Sequence, residues 1–213
     1  MAEPVTRWAD LWDPRYTGRV ALRDQPREIL ALSLLALGYS LNSENPQELD
    51  RALDRLLELK QSIVLVGAET DSAVPKLLSG EVAILHGWES DYKTAHETNP
   101  AVSYVSPQEG TALWGDNFVI NAKSLRQRTA EVFLNFLLRP DIGAEIVNET
   151  GNANANDAPR PFVKPEIRDD PVIFPPADRL RRAYFYTPLS PDGESLYRRV
   201  WERFLAGGRG VGE

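Results

Sequence analysis

Apolar side chains recur at helical spacing in the second quarter of this chain. Asn45-Pro46-Gln47-Glu48 starts the pattern with a capping Asn, a Pro at the first helical position and an acid in the first turn. The apolar positions that follow lie at i, i+3, i+4, i+7 and i+8 and share one helical face; they are Leu49, Ala52, Leu53, Leu56 and Leu57. The sequence therefore predicts an amphipathic helix with one buried face.

Other segments predict alternating helices and strands. Pro26 suits the first position of a helix that runs to about Leu37 and ends at Gly38. Further helices are predicted at residues 71–79 and 89–98, after a Ser124-to-Gln127 capping box, after Pro140, and from Leu196 to Leu205. Strands are predicted from Arg19 and at residues 63–66, 82–86, 102–105 and 110–120, with a loop at residues 152–176. This alternation predicts an α/β fold with a substantially parallel sheet.

The predicted strand at residues 110–120 carries Trp114 and Asp116 near its start. Residues two apart on a strand point to the same face, so the indole and the carboxylate would look into one space. An aromatic ring beside an anion is what a site for an organic cation requires. The alternative is a buried Trp beside an exposed Asp with no ligand.

Composition narrows the classes of function. The 24 Lys and Arg residues against 31 Asp and Glu residues give a net charge of −7, which argues against nucleic-acid binding. The absence of cysteine excludes disulfides, thiolate metal sites and cysteine nucleophiles. No apolar run reaches the ~20 residues of a membrane span, and residues 1–4 lead into a charged, aromatic segment rather than a signal peptide.

Signatures of catalysis and metal binding are absent from the sequence. His86 and His96 are ten residues apart, which is not the spacing of converging metal ligands on a helix. No nucleophile elbow, P-loop or dinucleotide-binding glycine motif follows a predicted strand. The sequence thus predicts neither an enzyme nor a cofactor.

Aromatic and acidic residues at element ends remain as candidates for a binding site. Glu28 lies in the first turn of the Pro26 helix, where the helix dipole favours a carboxylate; it is a ligand candidate or a routine first-turn acid. Trp88 ends a predicted strand right after Gly87, at the carboxyl edge where α/β sheets bind ligands; it is a ligand candidate or a core residue. Tyr184 and Tyr186 follow a basic turn, and packing is the simpler interpretation of both.

Four segments of the chain together resemble the bacterial spermidine/putrescine-binding proteins, the extracytoplasmic solute-binding subunits of polyamine ABC importers. They read WADLWDPRYTGRVALRDQPREIL, GEVAILHGW, EGTALWGDNFVINAKS and FLNFLLRPDIGAEIVNETGNANANDAPR. Their order and spacing match the family from about Trp8 to Ala206. The resemblance implies a type II periplasmic-binding-protein-like α/β fold, in which two lobes close on the ligand.

The resemblance also assigns ligand-binding roles. Trp88 and Trp114 correspond to the family's tryptophans that wall the ligand's methylene chain, and Asp116 to the carboxylate that pairs with an ammonium group. Glu28 corresponds to an acid at a helix start. Tyr186 falls near a position that offers a polar side chain to one end of the ligand.

Two departures from the family pattern affect the expected ligand. Gln25 stands where the family often has an Asp, and Asn152 stands where many members have an aromatic residue. Losing one anion and one ring weakens binding or shifts the preference among polyamines. The resemblance therefore does not choose between spermidine and putrescine.

Because the chain is shorter than the members of this family, it is expected to hold one complete lobe and a fragment of the other. The expected segments are residues 1–115 and 161–206 for the second lobe, 116–160 for a partial first lobe, and 207–213 for a flexible tail. Such a fragment would leave Phe133, Phe136 and Leu137 without their sheet, and an exposed apolar face of that kind favours self-association as a homodimer.

We therefore interpret the chain as a truncated polyamine-binding protein, periplasmic or extracytoplasmic by resemblance, whose partners are a polyamine and an ABC transporter permease. Binding is expected to be weak or absent, because a one-sided site leaves the ammonium groups hydrated. Two alternatives stay open: a protein of the same fold for another small cation or solute, and a self-associating fragment that binds nothing.

Overall fold

The structure, a computed structural model, describes residues 4–66 and 70–207 of the chain. These residues form two compact units. Unit 1 takes its residues from Met1–Trp114 and Asp178–Glu213, and unit 2 consists of Gly115–Ala177.

Helices and strands alternate along unit 1. Its strands are β1 (Val20–Arg23), β2 (Ile63–Val66), β3 (Ile84–Leu85), β4 (Thr111–Leu113) and β5 (Ala183–Phe185). Its helices are α1 (Pro26–Ala36), α2 (Pro46–Leu59), α3 (Thr70–Leu78), α4 (Glu89–Thr98) and, at the end of the chain, α9 (Pro191–Leu205). Short 3-10 turns at Trp8–Trp12 and Pro14–Tyr16 precede β1.

The central sheet of unit 1 has the strand order β2-β1-β3, and both pairings are parallel. All four residues of β1 are buried, as expected for a strand covered on both faces. The α/β fold predicted from the alternating pattern is thus confirmed for this unit.

The main core of unit 1 lies where α1, α2 and α9 meet. The α2 positions predicted to be inward are almost all fully buried, and Leu57 packs partly buried at the margin. Asn45 caps α2 as predicted, since its side chain accepts a hydrogen bond from the Gln47 amide at 2.9 Å. Phe204 and Tyr197 of α9 complete this core.

A second, two-stranded sheet in unit 1 joins distant parts of the chain. β4 pairs in parallel with β5, and Leu113 lies opposite Phe185. Gly110 enters β4 at a φ of +105°, a backbone conformation that favours glycine. The sequence analysis did not predict β5.

Unit 2 is mostly helical. It contains α5 (Gln127–Leu137), α6 (Pro140–Thr150) and α7 (Pro165–Arg168), and α8 (Ala177–Leu180) begins at its end. Its small core consists of Ala144, Val147, Val163, Ile167 and Ile173. Residues 161–177, which the sequence analysis assigned to the second lobe, therefore pack in the structure with the small unit.

Three local predictions were wrong. Residues 102–105 do not form a strand, because the Val102 amide bonds to Asn99 O at 3.0 Å and the Val102 carbonyl contacts His96 Nδ1 at 2.7 Å. The strand expected at residues 110–120 is limited to β4. The Ser124 capping box does not form, since Arg126 is the cap residue of α5 and makes no side-chain cap bond.

Within the described residues, none of the helices has the length and apolar character needed to cross a membrane. Of the tail predicted at residues 207–213, only Gly207 is described and the rest lies outside the described residues.

Candidate functional site

A cavity of about 700 Å³ opens in unit 1 beside the carboxyl ends of its strands. Four of the six residues expected to bind ligand line it: Glu28, Trp88, Trp114 and Tyr186. Glu28 follows β1 and Trp88 follows β3, whereas Trp114 and Tyr186 directly follow the paired strand ends of β4 and β5. This is the edge at which α/β sheets place their ligands.

Glu28 is the acid at the wall of this cavity, and its side chain is 25% exposed. Burial raises the pKa of its carboxyl group, opposed by a hydrogen bond from the Trp88 side chain and by the charge of Arg23. The pair thus presents a partly desolvated anion beside an aromatic ring.

Trp88 is held from both its backbone and its ring. Its backbone amide donates to Asp91 Oδ2 at 2.7 Å, which caps α4. The guanidinium of Arg23 lies 4.3 Å from the centroid of the Trp88 ring and forms an ion pair with Asp91. Arg23 is fully buried and Asp91 nearly so. A buried charge pair of this kind fixes the position of the indole that faces the cavity.

Tyr186 is fixed in a similar way at another side of the cavity. The guanidinium of Arg27 lies 4.9 Å from its ring centroid, and Arg27 also donates to Asn42 Oδ1 at 3.0 Å. Burial raises the pKa of the Tyr186 hydroxyl well above its ordinary range, so the group stays neutral. Trp114 differs from both rings, because 46% of its surface is exposed.

His86 lines the cavity as a neutral group. Its Nε2 lies 3.9 Å from Glu28 Oε2, but burial lowers the pKa of the imidazole to about 4, so this contact is not an ion pair near pH 7. Trp8 packs edge-on against the imidazole with ring centroids 5.8 Å apart. Among the described residues, His86 Nδ1 finds no hydrogen-bond partner.

The other two predicted residues are not brought into this cavity lining. Gln25 is the cap residue of α1, makes no side-chain cap bond, and does not line the cavity. Asp116 is exposed and belongs to unit 2, while Trp114 belongs to unit 1. The premise that Trp114 and Asp116 share one strand was wrong, because β4 ends at Leu113.

Sequence reasoning missed the groups that organise the site. The sequence analysis weighed His86 only as a metal ligand and gave Asp91 and Arg23 no role. The available signal was a charged residue ending the apolar run Val20-Ala21-Leu22, since a buried charge requires a partner. Within the described part of the chain, no group of three or more His, Asp or Glu side chains is arranged to hold a metal ion.

Comparison with known proteins assigns the family. Residues 1–175 match the family model of the bacterial extracellular solute-binding proteins. The chain belongs to this family. It is a family of solute-binding transport proteins and not a family of enzymes.

Relatives within this solute-binding family include polyamine-binding proteins. The chain is 30% identical over 203 residues to the spermidine/putrescine-binding periplasmic protein of Escherichia coli, covering 95% of this chain and 58% of that protein. It is 30% identical over 216 residues to a putrescine-binding periplasmic protein of the same organism, again covering 58% of that protein. The chain thus spans less than two thirds of the length of these relatives.

Solved structures of the family confirm the fold. A spermidine/putrescine substrate-binding protein of Streptococcus pneumoniae superimposes with a TM-score of 0.86 at 28% identity, covering 98% of this chain and 64% of that one. A spermidine/putrescine ABC transporter protein of Listeria monocytogenes gives a TM-score of 0.84 at 27% identity. The chain has the periplasmic-binding-protein fold, as one lobe plus a fragment of the other.

Proposed function

We propose that this chain binds a linear polyamine of the spermidine/putrescine class in the unit 1 cavity. The observation that carries the proposal is the Glu28–Trp88 pair, a partly buried carboxylate and an indole at the wall of the same cavity. A carboxylate supplies the charge that an ammonium group needs, and the aromatic face accommodates its methylenes. Relatives of the chain include a spermidine/putrescine-binding and a putrescine-binding periplasmic protein, which supports the same ligand class.

The remaining predicted residues take their roles within this proposal. Trp114 and Tyr186 would flank the methylene chain, since both line the same cavity as Glu28. The family resemblance gives Asp116 the role of pairing with an ammonium group, and Gln25 would modulate the preference among polyamines because it offers an uncharged amide at the start of α1. In its cellular context the protein would deliver the polyamine to an ABC transporter permease outside the cytoplasm.

Calorimetric titration of the chain tests the proposal. Putrescine and spermidine should bind, whereas 1,4-butanediol, which keeps the four-carbon chain without the charges, should not. Glu28→Gln removes the charge but keeps the side-chain volume, and it should abolish binding. The matched variant Glu97→Gln, at an exposed position of α4, should leave binding unchanged. Equal responses to the diamine and the diol, or none to any amine, would reject the proposal. The expectation of weak or absent binding stays a prediction that this titration measures.

Self-association is a second candidate, favoured by one observation in unit 2. No residue of α5 is buried, and Val132, Phe133 and Phe136 are 55%, 56% and 43% exposed. An apolar helix face of this kind marks an interaction surface. Light scattering of the wild type and of Phe133→Lys distinguishes a homodimer formed through α5 from a monomer.

A further inference from the structure

The unit 1 cavity continues past Trp88 along the start of α4. Beyond the Glu28–Trp88 pair, its lining includes Glu89, Tyr92 and Tyr104. Glu89 is the next residue after Trp88 and lies in the first turn of α4. A second acid therefore lines the same cavity as Glu28.

Two tyrosine rings form the wall at this end of the cavity. Tyr92 and Tyr104 meet edge to face, with ring centroids 5.8 Å apart and an interplanar angle of 68°. Burial raises the pKa of the Tyr104 hydroxyl to about 12, so the phenol is neutral and largely shielded from water. Aromatic faces in such surroundings attract an organic cation more strongly than exposed ones do.

Three charged side chains act on the Tyr104 hydroxyl, and two of them are acids. After burial, the charge of Glu89 is the largest cause that raises the pKa of this phenol, and Asp91 raises it further. Arg179 opposes them with a smaller effect than Glu89. Asp91 is neutralised locally by Arg23, whereas Glu89 forms none of the ion pairs found among the described residues. Glu89 is therefore the acid of this wall that is available to pair with a cation.

The cavity is large enough for a ligand that reaches both ends. Its volume of about 700 Å³ corresponds to roughly twenty water molecules. It falls within the range of about 300–1,000 Å³ that buries small-molecule ligands. A single ammonium group at Glu28 would leave most of this space, and the tyrosine wall, to water.

We propose that Glu89, Tyr92 and Tyr104 form a second ammonium subsite in unit 1, in the same cavity as Glu28 and Trp88. The ligand class is then a linear di- or triamine that places two of its ammonium groups within this one unit. The inference rests on the proposed function, because it concerns the same cavity. It extends the proposed function, because it predicts that unit 1 alone binds diamines more tightly than monoamines.

A purely structural role for Glu89 makes a different prediction. A carboxylate in the first turn stabilises the helix through its dipole and is indifferent to any ligand. Glu89→Gln would then lower stability without changing the ratio of affinities for ligands of different charge. The ratio between a diamine and a monoamine therefore separates the two roles.

The experiment measures affinities of the whole chain for butylamine, putrescine and spermidine by NMR titration. Glu89→Gln is expected to weaken putrescine and spermidine at least fivefold and to leave butylamine within twofold of the wild type. Glu28→Gln is expected to weaken all three amines. Glu194→Gln is the matched control, because it removes an exposed first-turn acid from α9 with the same change of net charge.

The outcomes separate this inference from the function on which it rests. If the wild type binds none of the amines, the proposed function fails and the second subsite fails with it. If the wild type binds putrescine and Glu89→Gln changes all three affinities equally, or none, only the second subsite is overturned. Thermal unfolding of each variant checks that the fold is retained.

Discussion

The guanidinium of Arg23 lies 4.3 Å from the centroid of the Trp88 ring, so a buried cation of the protein already occupies one face of this indole. A ligand cation must then use the remaining surface of the ring. The ion pair with Asp91 anchors Arg23, and Asp91 in turn holds the Trp88 amide. The ring is thus positioned before any ligand arrives, which reduces the ordering cost of binding.

Arg23→Met should be strongly destabilising, because it leaves the Asp91 carboxylate buried without its partner. The expected loss is about 3–5 kcal/mol in the free energy of unfolding, measured by urea denaturation. Arg203→Met is the matched control at the exposed pair with Asp50, and it should cost less than about 1 kcal/mol. Equal costs at the two sites would contradict the anchoring role of Arg23.

Glu28 should make stability decrease as pH rises above the ordinary carboxyl value of 4.5. Burial raises the pKa of Glu28 in the folded state, so the native protein holds the proton more tightly than the unfolded chain between 4.5 and the raised value. Ionisation across that window therefore costs stability. Glu28→Gln should remove this component when unfolding free energies are compared from pH 4 to pH 7. A pH profile that is unchanged in the variant would refute this assignment.

Protonation of His86 should act in the opposite direction. Burial lowers the pKa of His86 from 6.5 to about 4 in the folded state, so the unfolded chain binds a proton first as pH falls. The stabilising contribution is complete above pH 6.5 and is lost as pH falls towards 4. This difference corresponds to roughly 3 kcal/mol.

His86→Gln, which cannot titrate, should flatten the fall in unfolding free energy between pH 6.5 and 4. His96→Gln serves as the control. His96 is not part of the His86–Glu28 contact, and its Nδ1 instead contacts the Val102 carbonyl at 2.7 Å. If both variants keep the full wild-type slope, His86 is not the titrating group.

Gly110→Ala should destabilise the second sheet of unit 1. The residue has a φ of +105°, and an added Cβ would lie 2.3 Å from the Arg182 carbonyl oxygen. Both the backbone strain and the clash oppose alanine, so a loss of at least about 2 kcal/mol is expected. Gly18 also has a positive φ, but an added Cβ there would meet nothing within 4 Å. Gly18→Ala therefore measures the cost of the backbone strain without a clash. A smaller loss at position 110 than at position 18 would contradict the clash.

The elements that were predictable are those whose signal is local. Asn45 and the apolar stripe after it specify α2 without reference to the rest of the chain, and the structure confirms both. The strand expected at residues 102–105 failed because strand formation depends on a pairing partner. The polar backbone groups of Val102 are instead satisfied by Asn99 and His96, and no sequence pattern reveals that competition.

The candidate site divides in a similar way. Element ends are readable from sequence, so Trp88 could be placed at the carboxyl edge of the sheet and Glu28 in the first turn of its helix. The Arg23–Asp91 pair joins residues 68 positions apart, and only the fold brings them together. The interpretation of Trp114 and Asp116 as a same-strand pair depended on the length of β4, which ends one residue before Trp114.

The most direct test of the central claim is an NMR titration of the chain carrying ¹⁵N-labelled tryptophan. The indole N–H signal of Trp88, assigned through Trp88→Phe, reports on the cavity wall that Trp88 shares with Glu28. Putrescine and spermidine should shift this signal in a saturable manner, and the shift should vanish in Glu28→Gln but persist in Glu97→Gln. Amine concentrations up to about 10 mM reveal even binding that is weaker than about −4 kcal/mol. A Trp88 signal that moves with neither amine over this range would contradict the assignment of this cavity as the polyamine site.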